Sequence, residues 1–438
     1  MPDVLPAASN PFIHARALHP EAERLLKLVA GGHSAVLHAP RRMGKTTLVK
    51  AVLQGALERE MPGILIDLSG VLSVTDLAAR LEQAYRGLPK SLREVIGREL
   101  ATIGFLTPFG GANVGRHDPS PDPIARVHAL LDLPARAAAR RGRRVLVVID
   151  EFQALFSLEG MDGAFRSHIQ HQIDVSYIFA GSEPSTMRAL FEDRSRPLYG
   201  QAERLRLGRL PSEASYDFIV ARFHDTNRTI EPDLAAELIR LGEGHAQRLM
   251  LIAHLLWDRT EVKRAVTLSE LRGACSAAMR AVDQELRYLW ESLKANERRV
   301  LAALASGISP YGQEARALMG LANSSSAARS VEQLERRAVI ERVEETEDLR
   351  IVDPLFSHWI RLSGGARTQV YVFPYEDGFA VTEGASLAFL HSQHPSLSEA
   401  EADADAIASG ARGAEVMIID SDDPNDLPDW ALASRVTD

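Results

Sequence analysis

Ala39-Pro40-Arg41-Arg42-Met43-Gly44-Lys45-Thr46 joins a short apolar run, Ser34–His38, to the periodic pattern Lys45–Glu58. It departs at one position from G-x-x-x-x-G-K-[ST], a loop whose amides wrap a β-phosphate while the next helix points its positive end at the same anion. Gly44 permits a backbone approach that a side chain would obstruct. Lys45 is placed to reach the β- and γ-phosphates, and the Thr46 hydroxyl to ligate Mg²⁺. Ala39 stands in for the leading glycine, which asks only that this position avoid positive φ. The flanking strand and helix are what separate this loop from a chance Gly-Lys-Thr.

The same alternation continues outward. Glu21–Val29 reads as a short helix, Ile64–Leu68 as a strand and Val74–Tyr85 as a helix. Val145–Ile149 is an unbroken aliphatic run suited to a central parallel strand buried on both faces. Val175–Ala180 and Arg204–Leu207 add two strands, and Ile124–Arg140 reads as one long helix. The predicted class is α/β, a parallel sheet with helices on its faces. Residues 104–123, rich in Gly and Pro, read as a surface excursion.

Asp150 and Glu151 follow directly on Val145–Ile149. At the carboxyl end of a parallel strand, Asp150 can face the Mg²⁺ shell and Glu151 can orient and deprotonate a water. Alternatively, the two acids cap a helix beginning at Phe152. Ser182 follows Val175–Ala180; it senses the γ-phosphate if that strand lies beside both motif-bearing strands, and it equally suits a helix cap. Arg194 and Arg196 are candidates to neutralise phosphate charge in a neighbouring subunit's site. Arg248, after Gly244-His245, is a candidate from the helical half, with surface ion pairing the alternative for all three. His245 is a minor further candidate to sense phosphate.

From Ser212 the pattern turns helical, with Ser212–His224, Glu231–Leu241 and His245–Trp257. Helices near Glu285–Lys294, Asn296–Ala305, Gly312–Leu318 and Ser325–Arg337 come next, with a hairpin of Val339–Val343 and Leu349–Val352. Three helices and a two-stranded wing make a winged helix. Beyond Gly364-Gly365, a hairpin, the helix Ser398–Ser409 and the strand Ala414–Ile419 give a β-β-α-β unit, with His391 and His394 in a loop-like stretch. The expected domains are 1–211 (nucleotide binding), 212–281 (helical lid), 282–363 (winged helix), 366–421 (small α+β) and 422–438 (acidic tail).

Lys and Arg number 50 and Asp and Glu 59 in 438 residues, a formal charge of −9. From Glu399 onward, 11 acids face only Arg412 and Arg435, so the rest of the chain nets to zero. Such a balance is no general trap for nucleic acid or anionic membrane. Residues 282–363 hold 11 basic and 13 acidic residues, which disfavours DNA as a partner despite Arg329, Arg336 and Arg337. Cys275 is the single cysteine, excluding an intrachain disulfide and a cysteine-built zinc site. No membrane span or signal-peptide profile is read, and the expectation is a cytoplasmic protein.

The chain resembles an AAA-type ATPase of the STAND kind, the archaeal and bacterial ATPase family. The resemblance rests on Pro40 to Thr47, Val147-Val148-Ile149-Asp150-Glu151-Phe152, Ile178-Phe179-Ala180-Gly181-Ser182, Pro197-Leu198-Tyr199-Gly200 and Asp353 to Trp359. It implies a P-loop NTPase sheet, a helical lid and a winged helix in that order. It further implies a switch between ADP-held and ATP-bound forms with Mg²⁺, coupled to self-association or a protein partner. By that resemblance, Lys45 and Thr46 take the phosphate and metal roles, Asp150 the metal role, Glu151 the role of base and Ser182 that of sensor; residues 39–47 and Arg248 are the candidate nucleotide contacts. Departures are Ala39 for glycine, Gln201 where relatives carry an arginine, and no proline after the lid glycine in Gly244-His245-Ala246. A non-hydrolysing ATP-binding scaffold and an ATP-gated DNA-binding regulator are the alternatives. The tail resembles a small bacterial β-β-α-β domain that brings no activity with it.

Overall fold

A computed structural model of the chain describes residues 10–12, 20–88, 96, 122–321, 323–343, 346–363, 369–375, 378–383, 390–410 and 415–418. The expected excursion at 104–123, all but its last two residues, and the acidic tail at 422–438 lie outside them. The chain divides into two compact units, residues 16–208 and residues 1–15 with 209–438.

The first unit runs α1 (Glu21–Ala30), β1 (Ala35–His38), α2 (Lys45–Glu58), β2 (Gly63–Asp67), α3 (Val74–Arg86), α4 (Pro123–Leu131), α5 (Leu133–Arg141), β3 (Val145–Asp150), a 3-10 helix (Phe152–Ser157), α6 (Met161–Ile169), β4 (Val175–Gly181), α7 (Pro184–Glu192) and β5 (Glu203–Arg206). Its five strands are all parallel, in the order β2-β3-β4-β1-β5. Every residue of β3 and of β4 is buried. Alternate residues serve opposite faces: Val145, Val147 and Ile149 join a core with α3 to α7, while Leu146 and Val148 join a second core with α1 and α2. That two-sided burial is why β3 reads as an unbroken apolar run. The expected helix Ile124–Arg140 is two helices meeting at Asp132. Pro134 lacks an amide hydrogen and its ring would clash with the carbonyl four residues back, so α5 starts anew around it.

The second unit continues with α8 (Ser212–Asp225), α9 (Pro232–Gly242), α10 (Ala246–Arg259), α11 (Leu268–Glu291), α12 (Ala295–Ala305), α13 (Gln313–Met319), α14 (Ser324–Arg336), β6 (Ile340–Arg342), β7 (Leu349–Ile351), α15 (Pro354–Ser363), β8 (Gln369–Tyr375), β9 (Gly378–Glu383), β10 (Leu390–His394), α16 (Leu397–Gly410) and β11 (Glu415–Ile418). The separate helix expected at Glu285–Lys294 is instead the end of the 24-residue α11, so residues 281 and 282 lie mid-helix. Thr267 starts α11 with a capping box, and Leu271, Ala274, Cys275, Ala278, Val282 and Leu286 form one buried stripe across the expected boundary. Asn10 and Phe12, grouped by sequence with the first unit, belong to this one. Asn10 Nδ2 donates to the His254 carbonyl at 3.1 Å, and the Phe12 ring lies 5.6 Å from that of Phe223. The carboxyl-terminal sheet has the order β10-β9-β8-β11, antiparallel except for β8 with β11. It holds one strand more than expected: the stretch of His391 and His394 is β10, paired with β9.

His245 is buried at the N-cap of α10, where its Nδ1 accepts the Arg248 N–H at 3.3 Å. Burial pushes its pKa from 6.5 down to about 4. Below pH 6.5 the unfolded chain takes up a proton that the folded chain refuses until about pH 4. Stability from this residue is therefore full above pH 6.5 and lost as pH falls through that window, by about 3 kcal/mol. Burial holds His358 lower still, at about 3. All four tryptophans lie beyond Arg209, so their fluorescence reports this unit. Urea unfolding followed by tryptophan emission should show His245→Asn, which keeps a cap acceptor, losing less stability than wild type between pH 7 and pH 4.5. Equal losses would remove His245 from the acid response.

Candidate active site

The loop between β1 and α2 turns through two left-handed residues, Arg42 (φ 69°) and Gly44 (φ 92°). Ala39 is not among the positive-φ residues, so a methyl group is tolerated where the pattern has glycine. Ala39 and Met43 are buried in the core beneath the loop, whereas Arg41, Arg42, Thr46 and Thr47 are exposed. No side chain caps α2, and the first-turn amides of a helix lack intrahelical acceptors, which is what an anion would use there. Lys45 is buried, its Nζ donating to the carbonyls of Ala39 (3.1 Å) and Pro40 (3.3 Å). Burial lowers its pKa, against the opposing pull of Glu151 and Asp150.

Because β4 lies between β1 and β3, the loop, the acid pair and Ser182 meet at one end of the sheet. Thr46 Oγ1 donates to Asp150 Oδ2 at 3.1 Å. Asp150 is the last residue of β3, and its Oδ1 accepts the Glu151 N–H at 3.0 Å. Burial raises the Asp150 pKa, and the neighbouring Glu151 charge adds to that, while the bonds from Glu151 N–H and Thr46 oppose it. Glu151 takes φ 54°, a left-handed conformation that for a non-glycine residue signals strain of the kind stored at functional sites. It is followed by a 3-10 helix rather than an α-helix, anchored by Phe152 against Phe179 at 4.7 Å and Phe165 at 5.6 Å. No side-chain bond from either acid caps that helix. The Ser182 hydroxyl donates to Glu151 Oε2 at 2.7 Å. Ser182 caps nothing either: the N-cap of α7 is Glu183.

Lys45, Thr46, Asp150, Glu151 and Ser182 are thus brought together, but the arginines are not part of that cluster. Arg194 is exposed after α7. Arg196 donates to Asp162 Oδ2 at 3.2 Å and stacks over Phe156 at 4.6 Å. Arg248 belongs to the second unit, where it is buried and donates through Nε to Asp353 Oδ2 at 2.9 Å. Sequence reading missed Asp353 as its partner, and it missed Gln153, whose amide joins the Glu151–Ser182 pair. The one signal for Gln153 was its nearness to the acid pair in Asp150-Glu151-Phe152-Gln153.

Residues 30–188 match the family model described as an AAA domain. The chain carries a distant AAA-type ATPase fold. It is similar to a Walker-type ATPase of Pyrococcus abyssi, at 18% identity and a TM-score of 0.59, over 82% of this chain and 99% of that one. The Aeropyrum pernix ORC2 protein, solved as ADPNP–ADP complexes, matches at 16% identity and TM-score 0.48, covering 76% and 89%. The Thermotoga maritima RuvB Holliday junction branch migration motor matches at 14% and 0.41, covering 80% and 98%. No curated protein matches by sequence. Among the described residues, no helix is long and apolar enough to cross a membrane.

Proposed function

We propose that the protein binds and hydrolyses ATP as a molecular switch of the STAND kind, in which nucleotide state changes the arrangement of a lid and winged helix and so controls self-association or a protein partner. The observation that carries this reading is the meeting of Thr46, Asp150, Glu151 and Ser182 at the mouth of the Lys45 loop. Residues 39–47 cradle the phosphates, with Lys45 on the β- and γ-phosphates. Two hard oxygens, Thr46 Oγ1 and Asp150 Oδ2, converge at 3.1 Å, a donor set that fits Mg²⁺. Bound there, the cation would neutralise charge on the β- and γ-oxygens. Glu151 takes a proton from water, whose oxygen bonds to the γ-phosphorus as the bond to the β,γ-bridging oxygen breaks. ADP and phosphate are the products. Ser182 reports the γ-phosphate to β4 through Glu151, whose Oε2 takes its hydroxyl hydrogen, and exposed Arg194, or half-buried Arg196 on leaving Asp162, serves a neighbouring subunit's site. Arg248 joins the nucleotide only by leaving Asp353.

Residues 282–363 act in this reading through protein contact rather than DNA. Arg336 pairs with Glu332, Arg337 lies 3.8 Å from Glu297 and Arg342 pairs with Glu335 at 2.7 Å, so carboxylates offset these three charges. Fluorescence anisotropy should show no duplex binding tighter than the nonspecific range, about 10⁻⁴ to 10⁻⁶ M at physiological salt. A tighter Kd lost on charge reversal of Arg329, Arg336 and Arg337 would replace this reading with the DNA-regulator one. Light scattering tests the switch itself: the particle mass with ATP and Mg²⁺ should exceed that with ADP. Equal masses, with ATP consumed, would reject control of self-association.

A further inference from the structure

We infer that Gln153 is a positioning residue that fixes which oxygen of Glu151 meets the attacking water, an inference that rests on the reading of Glu151 as the base. Gln153 is buried in the first turn of the 3-10 helix after β3. Its Nε2 donates one hydrogen to Glu151 Oε2 and the other to Ser182 Oγ, the latter at 3.0 Å. The Ser182 hydroxyl uses its own hydrogen on the same Glu151 Oε2, at 2.7 Å. Each donor hydrogen in this ring is used once, and the ring closes on a single carboxylate oxygen. Gln153 Oε1 in turn accepts the Ser182 backbone N–H at 3.2 Å, so the amide ties the ends of β3 and β4 together.

The fold makes room for that amide. A Cβ at Gly181, the last residue of β4, would stand 2.8 Å from Gln153 Oε1 and 2.4 Å from Met187 Sδ. Glycine there leaves space that the glutamine head fills. With both donors on Oε2, Oε1 is the oxygen left to take the water's proton. Without them the carboxylate is released from one aim, and misplacement of a reacting group by an ångström costs about 10²-fold.

Gln153→Met tests this, because methionine keeps length and volume and removes all three amide hydrogen bonds. Turnover and ATP affinity are to be measured on the full chain, with a thermal melt of each variant. Gln153→Met should lower kcat about 10- to 100-fold with the ATP Kd within about twofold of wild type. Ser182→Ala, a smaller change less able to disturb folding, should lower kcat in the same direction. In a Glu151→Gln background, Gln153→Met should add no further loss. Wild-type turnover in a folded Gln153→Met protein would overturn the inference, as would a parallel loss of kcat and affinity or a further loss on top of Glu151→Gln. Should Gln153→Met not fold, an unchanged kcat in Ser182→Ala would overturn it instead. Wild-type turnover in Glu151→Gln, or none in the wild type, removes the hydrolysis reading and this inference with it. A slow Glu151→Gln beside a fast Gln153→Met strikes the inference alone.

Discussion

Glu151→Gln is expected to slow ATP turnover by about 10²- to 10⁴-fold while leaving ATP affinity near the wild-type value. The substitution keeps the shape of the side chain and removes the one function a base needs, a carboxylate able to take a proton. Little else should move, because the phosphate contacts and the metal ligands are assigned to other residues. Thr46 and Asp150 retain their 3.1 Å approach in the variant, since neither bonds to the Glu151 side chain. The Glu151 backbone N–H continues to donate to Asp150, which leaves the end of β3 unchanged. Phosphate release and equilibrium binding, measured on the same preparation, separate the two effects. A variant that turns over like wild type would show that the acid at position 151 is not the base, and the hydrolytic mechanism would need another residue. A variant that loses affinity as well would mean that Glu151 holds nucleotide rather than activates water.

The candidate-site end of the sheet was legible because its signals are local. Gly44-Lys45-Thr46 needed only a strand before it and a helix after it, and β3 announced its two buried faces by a run with no polar residue before Asp150. The role assigned to Ser182 hung on a condition of strand order, and β4 lies between β1 and β3. What the sequence concealed was tertiary. Arg248 and Asp353 are 105 residues apart, and no periodicity couples an arginine on α10 to the start of α15. Gln153 resembled any polar residue in a turn until the glycine at 181 and the hydroxyl at 182 were seen around its head group. Element limits failed where local propensity is silent. A buried stripe carries α11 through residue 282, where a domain change was expected, and β10 is a short polar strand whose pairing with β9 reveals it.

Lys45→Met is expected to weaken ATP binding about 100-fold or more and to abolish the thermal stabilisation that ATP gives the wild type. The wild-type amine is buried and donates to two loop carbonyls, those of Ala39 and Pro40. Burial depresses its pKa despite the pull of Glu151 and Asp150, so its charge is incompletely compensated there. A triphosphate would supply a further anion, and truncating one partner of a buried, hydrogen-bonded charge pair costs about 2–5 kcal/mol. At 1.4 kcal/mol per tenfold, even the middle of that range exceeds a hundredfold loss. Without nucleotide, two effects oppose each other. Methionine relieves the cost of a buried cation but forfeits its attraction to Glu151 and Asp150, and it leaves two carbonyl oxygens without their donor. The apo melting temperature should therefore move by only a few degrees in either direction. With ATP at about 100 times its Kd, the wild type should gain about 2.7 kcal/mol and the variant almost none. Calorimetric melts with and without ATP and Mg²⁺ measure both quantities in one experiment. A Lys45→Met protein that keeps the full ATP-induced shift would place the triphosphate away from this loop, and the roles of Thr46, Asp150 and Glu151 would fall together.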